Sequence, residues 1–487
     1  MTSSEHADAR LAAALRRRAH ALGPALARLA DDRGLAVVTP DGGRRSIPIA
    51  LLPVVLDENE LARRARLARL LSSAGVAMAR LALARPELRA RLLGALSPLE
   101  AELAVLRPLT MLATTRVDFL EGRGLRALEL NATIPAMQGY SDIAAEALID
   151  VVGQAAGADD ATRARWRDAN GSNARALHHA LLAGYARVRP NQTPRRVAIL
   201  CRRHDAQLTE ISFLRARFEA MGTPTDVIYP SLLTGDDRGV CVGERRYDLV
   251  YRHLFVRRVE EPDVDPRGQA RRLLFDDVGA RAVLLNPPAS PVEVKSVFAL
   301  LSASVDDDDL AAAAGLSDDE RGAVAEAVPW TRELRDGALV AQLAGDPDRY
   351  VLKRAWDYGG RAVFIGRERD QPSFAERVRA AWPDLTPSWP EVCARAATDA
   401  RGGGFVAQEI IDAAPQENLL CEPSGVRALA LTVDFSAYAS VGIGVDPPWG
   451  AVCRGAPSRI VNIVGGGGVV PVLRAEVARA LAEALQG

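Results

Sequence analysis

Residues 350–366 read YVLKRAWDYGGRAVFIG, which is a strand, a glycine turn and a returning strand. Val351 and Leu352 lead into Lys353, Gly359 and Gly360 supply the turn, and residues 362–365 return. A lysine on a strand ahead of a flexible glycine loop suits a nucleotide triphosphate. The loop's N–H groups approach the phosphates and the ammonium neutralises them.

Composition strengthens that reading. Of 61 lysines and arginines only two, Lys295 and Lys353, are lysine. In so arginine-rich a chain, a retained lysine marks a place where a compact point charge is needed and a planar guanidinium will not serve. The plainer alternative is that two lysines survived by chance. Lys295 follows Ser290-Pro-Val-Glu-Val at the start of an expected helix, where the dipole does not favour a cation, so it too points to an external anion.

A second stretch carries acidic chemistry. Residues 116–135, RVDFLEGRGLRALELNATIP, read as a hairpin turning at 121–124. Arg116 and Asp118 share one face of the first strand, and Glu129 and Asn131 share one face of the second. Pairing across the turn sets Asp118 beside Glu129. Two carboxylates and an amide oxygen are hard ligands suited to Mg²⁺ shared with phosphates. The alternative is an exposed polar face on an edge hairpin. The acidic run 306–309 reads as a solvated loop with a helix cap.

The remaining totals exclude more than they identify. The net charge of −1 offers no basic face for nucleic acid. No uncharged apolar stretch is long enough to suggest a membrane span, and the N-terminus lacks the apolar core of a signal peptide. Five scattered cysteines without CxxC suit free thiols in a reducing cytoplasm. All six histidines lie at or before His253, which argues against histidine chemistry in the C-terminal half or near the reaction.

Along the chain we expect an α/β (α+β) architecture. Residues 1–110 form a helical N-terminal region, with helix over 58–106 broken near 72–75 and at Pro86. Residues 111–190 hold the acidic hairpin, a loop at 138–141 open to substrate, a helix at 142–152 and a loose linker with a helix. Residues 191–290 alternate strand and helix in a Rossmann-like run without GxGxxG. Residues 291–415 carry both lysines and a buried strand at 405–411. Residues 416–487 supply strands at 426–436, 437–443, 451–454 and 458–462, the glycine run 465–468 and a last helix. The glycine run is either a flexible loop or backbone close to a ligand.

In this order the pieces resemble the ATP-grasp superfamily in its circularly permuted form, close to the glutathionylspermidine synthase-like proteins. The resemblance spans roughly residues 110–475, with the Arg-x-Asp…Glu-x-Asn set ahead of the lysines. It implies an ATP-grasp-type fold with a Rossmann-like subdomain. It implies that Asp118, Glu129 and Asn131 bind Mg²⁺, that Arg116 contacts phosphate or the reacting carboxylate, and that Lys295 and Lys353 bind ATP phosphates beneath a loop containing Gly359 and Gly360. It further implies that Gln408, Glu409, Ile410 and Ile411 form the strand whose backbone reads adenine, and that Arg454 or Arg459, ahead of Asn462, is a further arginine of the site. Arg354 stands where such proteins often carry proline. The implied reaction is ATP-dependent, ADP-forming joining of a small-molecule or peptide carboxylate to an amine. A phosphotransferase and a non-catalytic nucleotide-binding protein are the competing readings.

Overall fold

The computed structural model describes residues 3–106, 109–236, 239–276, 282–335, 337–357, 359–444, 450–461, 463 and 466–486. Near the N-terminus β1 (Ile49–Ala50) and β2 (Val54–Leu56) flank Pro53 and precede helix α1 (Glu58–Ala84). Asp57 caps α1 by accepting the Glu60 amide at 2.8 Å, and the helix stops where Arg85 turns extended before Pro86. The expected hairpin is present as β3 (Leu112–Gly122) and β4 (Gly124–Asn131), followed by helix α2 (Gln138–Ala155).

The α/β run comprises β5 (Val197–Leu200), α3 (Leu208–Ala220), β6 (Thr225–Ile228), β7 (Leu249–Arg252) and β8 (Val283–Leu285). These strands form an all-parallel sheet in the order β8–β7–β5–β6. Helix α4 (Lys295–Ala303) then leads to β9 (Thr331–Glu333), β10 (Tyr350–Arg354), β11 (Val363–Ile365) and β12 (Phe405–Glu409). They form an antiparallel sheet in the order β9–β12–β10–β11. The chain finishes with β13 (Gln416–Glu422), β14 (Gly425–Val441), β15 (Ala451–Ala456), β16 (Gly468–Val470), β17 (Val472–Arg474) and a helix at Ala475–Ala484.

The largest sheet runs β13–β1–β16–β15–β14–β3–β4, and β13 also pairs with the first half of β14, so one side closes on itself. It draws strands from residues 49–50, 112–131 and 416–470, uniting three stretches that the sequence separates. Val117, Phe119 and Ala127 enter the core from one face of the hairpin, leaving Arg116 and Asp118 on the other.

Several expectations are corrected. Helix α1 does not break at 72–75. A Cβ on Gly75 would lie 2.5 Å from Leu130 Cδ1, so the small residues let the helix press against β4. Among the described residues α1 alone is long and apolar enough to cross a membrane; here over half of that window is buried inside the protein. Residues 138–141 are not a loop but the buried first turn of α2. The stretch read as a linker holds two helices, Asp160–Asn170 and Asn173–Val188. β9 and β13 were not expected as strands. β14 is one strand rather than two, because its small residues at 436–437 pair without interruption on both sides. Residues 458–461 form no strand, and Asn462 lies outside the described residues.

The glycine run is described in part, since Gly465 lies outside. Gly468 opens β16 in close contact with protein: a Cβ there would stand 2.5 Å from the Pro48 carbonyl oxygen and 2.7 Å from Leu420 Cδ1. Gly468→Ala should therefore destabilise the protein by about 1–3 kcal/mol through overpacking, read as a lower urea midpoint at unchanged slope.

Candidate active site

Period-two alternation puts the acidic hairpin's polar side chains on one sheet face. Arg116 pairs with Asn131 and Asp118 with Glu129; a bulge follows, since Phe119 pairs with Ala127. Asp118, 1% exposed, is clamped by two arginines. Arg116 Nε donates to its Oδ1 at 2.6 Å and Nη2 to its Oδ2 at 2.9 Å, while Arg454 Nη2 donates to Oδ2 at 2.9 Å. Arg454 stands opposite Asp434 in the β14–β15 ladder, and its backbone N and Nε reach the two Asp434 oxygens at 2.8 Å each. Burial alone would raise the Asp118 carboxyl, but Arg116 and Arg454 overcome it and hold it well below the usual range. Asp434, with Arg454 as its partner and Asp118 as a like charge, is raised by burial.

The facing wall is the lysine hairpin. Lys353 Nζ donates to Gln408 Oε1 at 2.7 Å and to the Leu128 carbonyl at 3.2 Å. Leu128 is the bulge residue, which has no partner in the β3–β4 register. Burial, helped by the Lys295 charge, lowers the Lys353 ammonium to about 8. Lys295 does not continue a helix begun at Ser290; extended Val294 separates Ser290–Glu293 from α4. Its Nζ donates to the Asp357 carbonyl at 3.0 Å and lies 3.5 Å from Glu129 Oε2.

Between the walls lies an open cleft. It brings together Asp118, Glu129, Lys295, Lys353, Gly359, Gly360, Gln408, Glu409, Ile410, Ile411, Arg454 and Arg459. Gly359 and Gly360 take left-handed φ of 71° and 74°, the conformation that glycine admits without strain. The strand wall is partly committed: the Glu409 amide donates to Trp330 O at 2.9 Å and the Ile410 amide to Arg349 O at 2.8 Å. Among the described residues, the Ile411 amide and the Ile410 carbonyl make no backbone hydrogen bond.

Two expected residues are not on the cleft wall. Arg116 is buried behind Asp118, with Nη1 on the Ala136 carbonyl at 2.9 Å, and Asn131 keeps a buried Nδ2 without a partner. Sequence reading missed Asp434, Arg361, Asp357 and Thr432, all of which line the cleft. Asp434 had a signal: it is the one acidic residue in the apolar stretch 426–443.

No cluster of three His, Cys, Asp or Glu side chains suited to a metal occurs among the described residues. Mg²⁺ asks less of a protein, because it keeps waters and takes phosphate oxygens beside one or two carboxylates. A carboxylate has about four acceptor directions, and the arginines use three of Asp118's. With its fourth direction and the Glu129 carboxylate, the cleft offers two carboxylates that fit that ion; Asn131, whose unpaired atom is the donor Nδ2, lies off the cleft wall.

By sequence the chain matches no described protein family and no curated protein. By structure it resembles a glutathione synthetase-like effector from Globodera pallida in its apo form. The TM-score is 0.56 at 12% identity, covering 92% of this chain and 95% of the other. A putative gamma-glutamylcysteine synthetase from Methylobacillus flagellatus KT aligns over 82% of this chain and 94% of its own, at 11% identity and a TM-score of 0.39. The first likeness establishes a shared mixed α/β fold.

The charge chain generates a stability prediction. Because the Asp118 pKa is depressed below its ordinary 3.8, its contribution is complete above that value and is lost as pH falls further. Asp118→Asn should flatten the acid limb of a stability–pH profile. Arg454→Ala, which strands Asp434, should cost about 3–5 kcal/mol in urea unfolding at neutral pH.

Proposed function

We propose that the chain is an ADP-forming ligase of the ATP-grasp type, joining the carboxylate of a small molecule or peptide to an amine. One observation carries the reading: the only two lysines of the sequence converge on a single cleft, beneath a double-glycine turn and opposite the Asp118–Glu129 pair. The fold shared with a glutathione synthetase-like structure supports it, and a reducing cytoplasm would suit it.

In this reading Lys353 and Lys295 hold the nucleotide phosphates, Gly359 and Gly360 cover them, and the Ile411 amide with the Ile410 carbonyl addresses adenine. Mg²⁺ would be held by Glu129 and the remaining acceptor direction of Asp118, and would supply charge neutralisation at the phosphate oxygens. The substrate carboxylate attacks the γ-phosphorus, giving an acyl phosphate and ADP. The amine then attacks the acyl carbon and releases phosphate. The first step joins two anions, so neutralisation matters more than a protein base. In this reading Arg459 meets the acyl phosphate, joined by Arg454 where its two carboxylates leave it a donor; Arg116 acts through Asp118.

A second reading, a nucleotide-binding protein without ligation, is favoured by the arginine clamp on Asp118. ADP release that needs both an acid and an amine supports ligation. Release without an amine points to phosphotransfer, and ATP binding with no release in an acid–amine screen favours the second reading.

Calorimetry should show Mg²⁺-dependent ATP binding that Lys353→Ala weakens by about tenfold or more, as expected for losing a charged contact to phosphate. Affinity should also fall as pH rises through about 8, where Lys353 loses its proton. Lys353→Arg should lack that slope. Absence of ATP binding by the wild type overturns the ligase.

A further inference from the structure

Behind the cleft, five of the described residues carry a buried side-chain polar atom with no partner: Asn131 Nδ2, Gln138 Oε1, Glu210 Oε2, Tyr251 Oη and both ring nitrogens of His253. None of the last four residues is more than 2% exposed. Buried polar groups ordinarily find partners, because leaving one unpaired costs about 1–3 kcal/mol. One residue with such an atom is ordinary; a strip of them needs a reason.

The elements that carry these residues are linked step by step. Asn131 faces Arg116 across the β3–β4 ladder, one step from the cleft residue Asp118. Arg116 holds the Ala136 carbonyl at 2.9 Å, as does the Tyr438 hydroxyl at 2.7 Å. Ala136 leads into Met137, held at a left-handed φ of 88°, and into Gln138 at the start of α2. Gly139 N donates to Glu210 Oε1 at 3.1 Å from the first turn of α2 to that of α3. Tyr251, at the end of β7, lies within electrostatic reach of Glu210, and its ring stands edge-on to His253 at 6.1 Å.

The charge of the strip selects its ligand. Glu210 makes no ion pair among the described residues. The neighbouring cations are committed elsewhere: Arg116 to Asp118 and Ala136, and Arg252 to the carbonyls of Asn286, Pro287 and Thr133. A buried carboxylate in that position takes up either a proton or a cation. A metal ion would ask for more carboxylates than the strip has, and an anion would be repelled. An ammonium group, with three donors, meets acceptors on Glu210, Gln138, Tyr251 and neutral His253.

We propose that this strip binds the protonated amino group of a small substrate, with Glu210 as its counter-ion and Gln138, Tyr251 and His253 as hydrogen-bond partners. The inference rests on the ligase reading, and it places a histidine beside the reaction where the sequence suggested none. Burial pushes the Glu210 carboxyl up to about 7, against the pull of the Gly139 amide and the Arg116 charge. The ammonium belongs either to the attacking amine or to the amino group of the acid substrate.

The test titrates the common amino acids, their amides and their N-acetyl derivatives into the full chain at pH 8, with a non-hydrolysable ATP analogue and Mg²⁺ present. Compounds bearing an ammonium should bind, and N-acetyl derivatives should not. Glu210→Gln should weaken that binding by about tenfold or more, as for a lost charged hydrogen bond, while analogue affinity stays unchanged. Tyr251→Phe, which removes only a hydroxyl, should weaken it several-fold and decides the matter if Glu210→Gln does not fold. Binding by the amides assigns the site to the attacking amine, and binding by free amino acids alone assigns it to the acid substrate. Unchanged amine affinity in both variants overturns the inference. So does nucleotide binding without any amine binding, which leaves the ligase reading standing. Failure to bind nucleotide at all removes that reading and this inference with it.

Discussion

Four charges in a row, Arg116–Asp118–Arg454–Asp434, three of them buried and Arg454 partly so, fix how the largest sheet must assemble. They sit on β3, β14 and β15, three strands drawn from distant parts of the chain. Taking such charges out of water is expensive unless each is paired with good geometry. Only one register satisfies all of them, because a slip by one residue would turn every side chain to the other face. The guanidinium fork matters here. Arg116 grips both oxygens of Asp118, and Arg454 spans two carboxylates at once, which a lysine could not do.

This row is neutral overall, so the character of the cleft falls to the groups around it. Lys295 and Lys353 approach from the opposite wall, and Glu129 faces them. Both lysines are held by carbonyl or amide oxygens rather than by tight carboxylate pairs: Lys353 by Gln408 and Leu128, Lys295 by Asp357 O. Neutral acceptors orient an ammonium without cancelling its charge. Arginine thus serves the frame and lysine serves the cleft, which gives a structural reason for the sequence to spare these two lysines.

What could be read in the sequence followed from local periodicity. The pairing of Asp118 with Glu129 was legible because a tight turn and a period of two fix it, and the lysine hairpin was legible from its double glycine. Asp434 was not, because its partner Arg454 is set by a ladder between strands that the sequence does not align. β13 was missed because Gln416, Glu417 and Asn418 look like loop, yet Asn418 bonds Leu52 across the sheet at 2.9 and 3.1 Å. Residues 138–141 looked like a loop because no capping side chain opens α2; a left-handed Met137 starts it instead. In α1 the Ser72–Gly75 stretch resembles a break, but small residues also permit close packing, and here the neighbouring β4 decided.

Asp434 and Glu210 make an instructive pair, being two carboxylates with no exposed surface. Asp434 has an arginine fork and the Arg454 amide, so its charge is matched within the protein. Glu210 has the Gly139 amide and no ion pair among the described residues. Folding alone gives no reason for that difference: an arginine in place of a neutral neighbour would cancel the Glu210 charge as Arg454 does for Asp434. The cost of leaving Glu210 unmatched is borne at the junction of the large sheet, α2 and the parallel sheet, just behind the cleft. Asp142 is likewise buried without an ion pair among the described residues, but both its oxygens accept hydrogen bonds, whereas Glu210 Oε2 has no partner; a defect of that kind is expected to be kept only where something else completes it.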